Sequence, residues 1–401
     1  MMLLAGAKLV LPDRVLPGAT LLIEGHRIAA IEPRPMEPAA GVRRIDLTGR
    51  IVVPGFVDVH VHGVEGVDTL DGDGAVAAIA TRLPRYGVTS FCPTSIACDP
   101  AALSRLLADV QACGSSPAPG AARVLPAHLE SNFINPDYRG AQPLECLRAP
   151  LPPASVEPGA FAADDILRVI GQYREAVGIV TMAPELDGGF DLIRQFRQAG
   201  HIVSVGHSAA TYEQTFAAID AGVTHATHLF NRMPALHHRA PGAAGAVLAS
   251  PRVCAELICD GVHVHPSLLA LAIRTKGTGR VMAITDGTAG SGLPAGSVAR
   301  LGGRSIRVTD RVAQLADGTL AGSVLTMDCA FRLLVQTLGL SLVEAAALCA
   351  TTPADQLGRA DLGRIRPEAA ADLTILSRDL RVEATILAGQ PWGNPPEWSS
   401  V

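Results

Sequence analysis

The sequence predicts an α/β protein, a (β/α)8 TIM-like barrel with a small flanking β-sandwich formed by its N- and C-terminal segments. Three observations carry this. Between about residues 55 and 355, short apolar runs alternate with longer Ala/Leu-rich segments of helical period. Nearly every apolar run ends in polar or charged residues, as strands of a parallel barrel do on the face where sites are built. The two ends of the chain share a strand-rich texture of their own. A length of 401 residues accommodates a barrel of roughly 250 to 300 residues plus an accessory unit. Hydrophobic residues at 48% against 18% charged allow a large aliphatic core and set the chain apart from disordered sequences.

Residues 1–53 contain the β-like runs LLAGAKLVL, ATLLIEG and RIAAIEP, separated by Pro and Gly turn signals and closed by IDLTGRIVVPG. The same texture returns in AADLTILS and RVEATILAGQP. Segments 1–53 and 357–401 are therefore expected to pair as one discontinuous sandwich beside a barrel spanning 54–356. The eight barrel strands are expected in GFVDVHVH, GVTSFCPT, ARVLPAHLE, IVTMAPE, HIVSVGH, VTHATHLF, CAELICDG and GRVMAITDG. DPAALSRLLADVQACG and TYEQTFAAIDAG are helices, the second stopped by a glycine. The Pro-rich, aperiodic stretch from Asn132 to Asp164 is expected to fold over the barrel mouth as a lid or substrate loop.

A net charge of −5, with Lys sparse beside Arg, argues against a nucleic-acid partner. Cys92, Cys98, Cys113, Cys146, Cys254, Cys259, Cys329 and Cys349 are scattered without a CxxC pair, which excludes a zinc ribbon or disulfide framework and points to reduced thiols in a cytoplasm. The opening MMLLAGAKLVLPDRV has no charged segment before its apolar residues and is broken by Lys8, Pro12 and Asp13, so neither a signal peptide nor a membrane anchor is expected.

The chemistry concentrates at the strand ends. His60 and His62, two residues apart in DVHVHG, share one face of a strand and make a metal clamp. A pair of merely satisfied polar residues is the alternative, disfavoured by their place after VVPGF on the first strand. Glu130 closes the apolar run ARVLPAHLE, where a carboxylate needs a cation or an ion-pair partner such as Arg139. His207 and His228 end the fifth and sixth strands. Together these residues supply four imidazoles and one carboxylate, a set suited to Zn²⁺ or a similar divalent ion, with Fe²⁺, Mn²⁺ or Co²⁺ as alternatives.

Asp286, closing VMAITD, is the candidate general base for a water activated by that metal. Its alternative role as a helix cap is weakened by the GTAGSG that follows. His128 reads either as a group behind the ligands or as a packed core histidine, and His225 lies one register step off. Asn231, Arg232 and Arg239 follow the sixth strand and His263 the seventh, as candidate substrate contacts, with the Arg239 guanidinium suited to an anion such as phosphate. His237, His238 and His265 have no assigned part.

PGFVDVHVHG, GVTSFCPT, HLE, MAPE, GHSAAT, ATHLFNRMP, RAPGAAGAVL, CDGVHVHP, ITDGTAG and DGTLAGSVLTMD occur in this order. In them the chain resembles the N-acetylglucosamine-6-phosphate deacetylases of the amidohydrolase superfamily. The resemblance implies a barrel with a flanking β-sandwich, a homodimer, and removal of the N-acetyl group of a 6-phosphorylated amino sugar as acetate. It implies metal ligation by Glu130, His207 and His228 and acid–base work by Asp286. Some members lack the HxH pair; its presence here implies room for a second ion bridged by Glu130. Asn231 with the following backbone, Arg239 and His263 match positions that contact the sugar phosphate and hexose, the arginine across a dimer interface. Leu325, in SVLTMD, matches the lining of the acetyl pocket. One departure stands out: the family reads HLEGP and a KGAH-like segment, where this chain has HLESNFINPDYRGAQP, with Gln142 in place of a substrate-contacting histidine. Two rivals follow. One is an amidohydrolase acting on an unphosphorylated N-acetyl sugar, an N-acyl amino acid or a cyclic amide. The other is a non-catalytic scaffold, disfavoured by the complete ligand set. TMAPELDGG has no lysine at the fourth strand end, which disfavours carbamylated-lysine enzymes.

Overall fold

The computed structural model describes residues 1–34, 36, 41–151 and 161–393. Eight parallel strands form its centre: β1 (Phe56–Val61), β2 (Val88–Ser95), β3 (Ala127–Glu130), β4 (Val177–Met182), β5 (Ile202–Val205), β6 (Val223–Ala226), β7 (Cys254–Ile258) and β8 (Val281–Ile284). Each overlaps one of the expected segments; β2 runs one residue past its segment and β4 begins two residues before its own. Neighbours pair in chain order from β1 to β8. A parallel bridge between Val61 and Gly287, with bonds from Asp286 N to His60 O (3.0 Å) and His62 N to Gly287 O (2.8 Å), brings the end of β8 back to β1. β1, β2, β3, β7 and β8 are buried along their whole length, which is why they run apolar without alternation: parallel strands are covered on both faces.

A helix follows each of the first seven strands: α1 (Ala75–Arg82), α2 (Pro100–Ser115), α3 (Ala163–Gln172), α4 (Gly189–Gln198), α5 (Tyr212–Ala221), α6 (Gly242–Ala249) and α7 (Pro266–Lys276). Local chemistry sets their ends. The Asp99 carboxylate accepts from the backbone of Ala101 and Ala102 ahead of α2, whose first residue is Pro100. Thr211 and Gln214 form a capping box at the start of α5, and Gly222, at φ 135°, stops it. After β8 comes α8 (Met327–Arg332), whose Phe331 ring packs 5.3 Å from that of Phe56 at the base of β1.

The terminal segments pair as expected. Ile51–Pro54 is antiparallel to Leu373–Leu376, joining N- and C-terminal strands in one eight-stranded sheet. The sheet curls around its own core, in which Leu21 and Ile28 from one end cluster with Ile375 and Ile386 from the other. Bonds from Ile28 N to Ala369 O and from Ala371 N to His26 O, each 2.9 Å, tie the opposite sides together. Residues 394–401 of the expected C-terminal segment lie outside the described residues.

One element departs from the expectation of barrel alone. Between β8 and α8, Val298–Leu301, Arg304–Val308 and Ala313–Gln314 form a three-stranded antiparallel sheet on a small core of Ala299, Leu301, Ile306 and Val308. VARLGGRSIRV has the alternation and glycine turn of a hairpin, a period of two that can be read in the sequence. The loop after β3 lies over the mouth through its described part. Asn132 Nδ2 donates to Cys98 O and Cys146 O, both at 2.8 Å, pinning the loop at each end. Residues 152–160 of the expected lid are not among those described.

Phe56→Ala should cost about 3–5 kcal/mol of stability, because Phe56 is fully buried and its ring has no room to be replaced by water. Denaturant unfolding measures this; a loss below about 1 kcal/mol would contradict the packing described.

Candidate metal centre

Strand periodicity and turn geometry bring six side chains to one point above the C-terminal ends of the barrel strands. His60 and His62 project from one face of β1 and its continuation. Glu130 ends β3, and its exposure is only 4%. His207, His228 and Asp286 each stand two residues beyond a strand, at φ 48°, 31° and 49°. Such left-handed backbone is uncommon for a residue with a side chain and persists where the surroundings impose it, often at functional sites. Here it turns three side chains back toward the barrel axis.

The six form two joined groups. His60 Nε2 and His62 Nε2 are 3.2 Å apart and lie 3.3 and 3.2 Å from Asp286 Oδ1. His207 Nε2 and His228 Nε2 are 3.1 Å apart and lie 2.6 and 2.9 Å from Glu130 Oε1. Glu130 joins the groups: its other oxygen, Oε2, is 3.6 Å from His62 Nε2. Its partners are these histidines and Gln142. The Arg139 alternative fails, since that side chain is exposed and bonds Pro136 O.

The donor set fits a cation. His207 Nδ1 lies 2.7 Å from Tyr138 O, a carbonyl that can only accept, so the proton is on Nδ1 and the Nε2 lone pair faces the Glu130 carboxylate. Two acceptors at 2.6 Å need a proton or a metal ion between them. Four donors about 2.1 Å from one ion stand about 3.4 Å apart, close to the spacings seen here. The charges agree. Burial works to raise the Glu130 pKa, yet His207 and His228 hold it well below the ordinary range. Burial works to lower His228, but the Glu130 hydrogen bond overrides it and lifts His228 to about 9. Asp286 is opposed by burial and held down by His60 and His62. His60 falls to about 3 through burial.

A cavity of about 460 Å³ opens above these groups. His62, Glu130, His207, His228 and Asp286 form part of its lining; Asn231, Arg232, Gln142 and His263 line it too. His263 Nδ1 is braced by Asp260 Oδ2 at 2.6 Å, and that contact raises the imidazole pKa against the opposing effect of burial. Gln142 lies against Glu130 rather than free for a ligand: its Nε2 donates to Glu130 Oε2 and its Oε1 accepts from Ala97 N at 2.7 Å. Two expected contacts lie elsewhere. Arg239 is exposed in a loop outside the cavity lining, and Leu325 is packed into the core behind Asp286. The loop after β6 carries Arg239 outward over an exposed run from Ala235 to Ala240, and the backbone turn at Ser323 points Leu325 inward.

His128 is a packed core histidine: Nδ1 donates to Val59 O (2.9 Å) and Nε2 accepts from Thr181 Oγ1 (2.7 Å). His225 is buried off the cavity, and burial lowers it to about 3. Three groups escaped the sequence reading. Glu256 on β7 is buried against His60 at 3.0 Å. Asp58 on β1 accepts from Thr285 Oγ1 at 2.6 Å. The Tyr138 carbonyl orients His207. The first two had a signal, an acidic residue inside an apolar strand; a backbone carbonyl has none.

The likeness to known proteins agrees with this geometry. The family model described as "Amidohydrolase family" matches residues 51–391. The chain is 35% identical over 398 residues to the N-acetylglucosamine-6-phosphate deacetylase of Bacillus subtilis (strain 168), covering 97% of this chain and 96% of that one. It is 34% identical over 369 residues to the N-acetylgalactosamine-6-phosphate deacetylase of Escherichia coli O157:H7, covering 90% and 92%. Among solved structures, a mutant N-acetyl-D-glucosamine-6-phosphate deacetylase from Mycobacterium smegmatis, in complex with N-acetyl-D-glucosamine-6-phosphate, superposes with a TM-score of 0.86 at 34% identity, covering 98% and 99%. With matches across nearly its full length and a histidine–carboxylate cluster at its strand ends, the chain belongs to the amidohydrolase family.

Proposed function

We propose that the chain is a metal-dependent deacetylase that hydrolyses the N-acetyl group of an amino-sugar 6-phosphate, N-acetylglucosamine-6-phosphate or a close epimer, to the free amine and acetate. The observation that carries this is the cluster of four imidazoles and two carboxylates, five of the six lining a cavity of about 460 Å³, in a chain similar end to end to deacetylases of two such sugar phosphates. Glu130, His207 and His228 would hold one divalent ion; His60, His62 and Asp286 would hold or flank a second. Zinc suits the imidazole and carboxylate donors best, with Fe²⁺, Mn²⁺ or Co²⁺ compatible with the same set. A bound ion supplies Lewis-acid polarisation of the acetamide carbonyl and lowers the pKa of water toward neutrality.

The chain's own groups perform the rest. Asp286 accepts the proton of the attacking water and returns it to the sugar nitrogen as the C–N bond breaks, so no net proton is consumed on the enzyme. His263, whose imidazole pKa the Asp260 contact raises against burial, is placed to donate to the oxygen that becomes negative as the carbonyl carbon turns tetrahedral. Arg232 is the one Arg or Lys among the described cavity-lining residues, and its guanidinium suits the 6-phosphate, with Asn231 beside it. Arg239 lies outside this chain's own cavity, so its assignment to phosphate requires a second subunit, in keeping with a homodimer. Eight free thiols, five of them buried, support a cytoplasmic setting; no helix among the described residues is long and apolar enough to cross a membrane.

Asp286→Asn should fold and take up metal yet lose at least about 100-fold in kcat; near-normal turnover would sink the role given to Asp286. A panel pairing each N-acetyl hexosamine with its 6-phosphate tests the substrate class. Acetate release is expected from the phosphorylated member of a pair, and equal or faster release from the unphosphorylated sugar would favour the rival substrate class. Loading the metal-stripped protein should release protons and weaken as pH falls, since His228 keeps a proton up to about pH 9 until a metal displaces it. Titration calorimetry in buffers of different ionisation enthalpy measures this. Uptake without proton release would contradict the ligand assignment.

A further inference from the structure

Glu256 sits in the middle of β7 with its carboxyl group fully buried. Its Oε2 lies 3.0 Å from Nδ1 of His60 and 3.3 Å from the backbone N of His228. One oxygen thus accepts from a residue in each half of the cluster. Its Oε1 has no hydrogen-bond partner among the described residues and stands 3.7 Å from Nδ1 of His128, whose proton goes to Val59 O instead. A half-satisfied carboxyl deep in an apolar strand is costly. Its neighbours Ala255, Leu257 and Ile258 pack as ordinary core and give no reason for a glutamate. The side chain does not line the cavity, so it does not meet a substrate.

We infer that Glu256 is a positioning residue for metal binding: by accepting the Nδ1 proton of His60 it fixes the tautomer whose Nε2 lone pair faces His62 and Asp286. It thereby sets how tightly the His60–His62–Asp286 half of the centre holds its ion. The contrast among the four imidazoles supports this. His207 is oriented by a backbone carbonyl, while His62 and His228 have no partner on Nδ1 among the described residues. His60 is the one whose Nδ1 is held by a buried side-chain acceptor, which fixes its tautomer and ring orientation. The contact of Glu256 in the other half is to the backbone N of His228 and not to the ligating ring, so the effect on a ligand's tautomer falls on the half that contains His60.

The inference rests on the metal reading above, and Zn²⁺ titration of metal-stripped protein against a chromophoric chelator separates the two. Wild type, Glu256→Leu and Glu256→Gln are compared with His60→Ala and His207→Ala as references, and thermal unfolding of the stripped proteins shows that each is folded. Glu256→Met provides a second apolar side chain of similar length. The apolar variants are expected to weaken, by about 10- to 100-fold, the ion that His60→Ala loses, and to keep the ion that His207→Ala loses. Glu256→Gln retains an acceptor oxygen and is expected to keep both. Three results overturn the inference: apolar variants that bind as wild type, apolar variants that lose the ion His207→Ala loses, or Gln and apolar variants falling together, as packing or bare charge would require. A wild-type chain that takes up no Zn²⁺ overturns the metal reading itself, and this inference with it.

Discussion

Four carboxyl groups, those of Asp58, Glu130, Glu256 and Asp286, sit within the ends of an apolar barrel with at most 6% of each residue exposed. A buried carboxylate is tolerated when positive charge and hydrogen-bond donors surround it, and otherwise takes up a proton. The barrel meets this demand by placing four imidazoles among them. The strand ends, the left-handed turns at His207, His228 and Asp286, and the loop that carries Tyr138 all converge on the same few ångströms. Without a metal ion, imidazole nitrogens and carboxylate oxygens stand 2.6 to 3.3 Å apart with only protons to separate them. Glu130, which touches both halves, gains most from divalent charge at that point.

Most of this was legible in the sequence because a barrel strand is short, apolar and ended by the residue that matters. HVH, HLE, VGH, THLF and ITD each mark a strand end, and the structure brings their polar residues together. What the sequence hid depended on contacts between distant segments. Glu256 and Asp58 lie inside strands rather than at their ends, so the signal was the expense of an acid in an apolar run, not a motif. Tyr138 acts through its backbone carbonyl, which no side-chain pattern can announce. The hairpin at 298–308 did show its alternation, but in a stretch expected to be barrel it was absorbed into the wrong element.

The substrate side is less regular than the metal side, and for a physical reason. The proposed metal ligands are placed by strands and their immediate turns, while the cavity walls come from loops. The loop after β3 supplies Asp137, Tyr138, Ala141 and Gln142, the inserted sheet supplies Leu301, and the turn after β6 supplies Asn231 and Arg232. Gln142 shows how a loop residue changes part: its amide, caught between Glu130 and the Ala97 backbone, steadies a proposed ligand and is not left open to a sugar. Arg232 reaches the cavity because Gly140 carries no Cβ, which would meet the Arg232 Nε at 2.5 Å.

Anomalous diffraction at the absorption edge of the bound metal, from crystals of the metal-loaded protein, locates each ion among the side chains. One ion is expected among Glu130, His207 and His228, with any second ion among His60, His62 and Asp286. Anomalous density at any other set of residues, or none at the strand ends of a loaded and active protein, would contradict it.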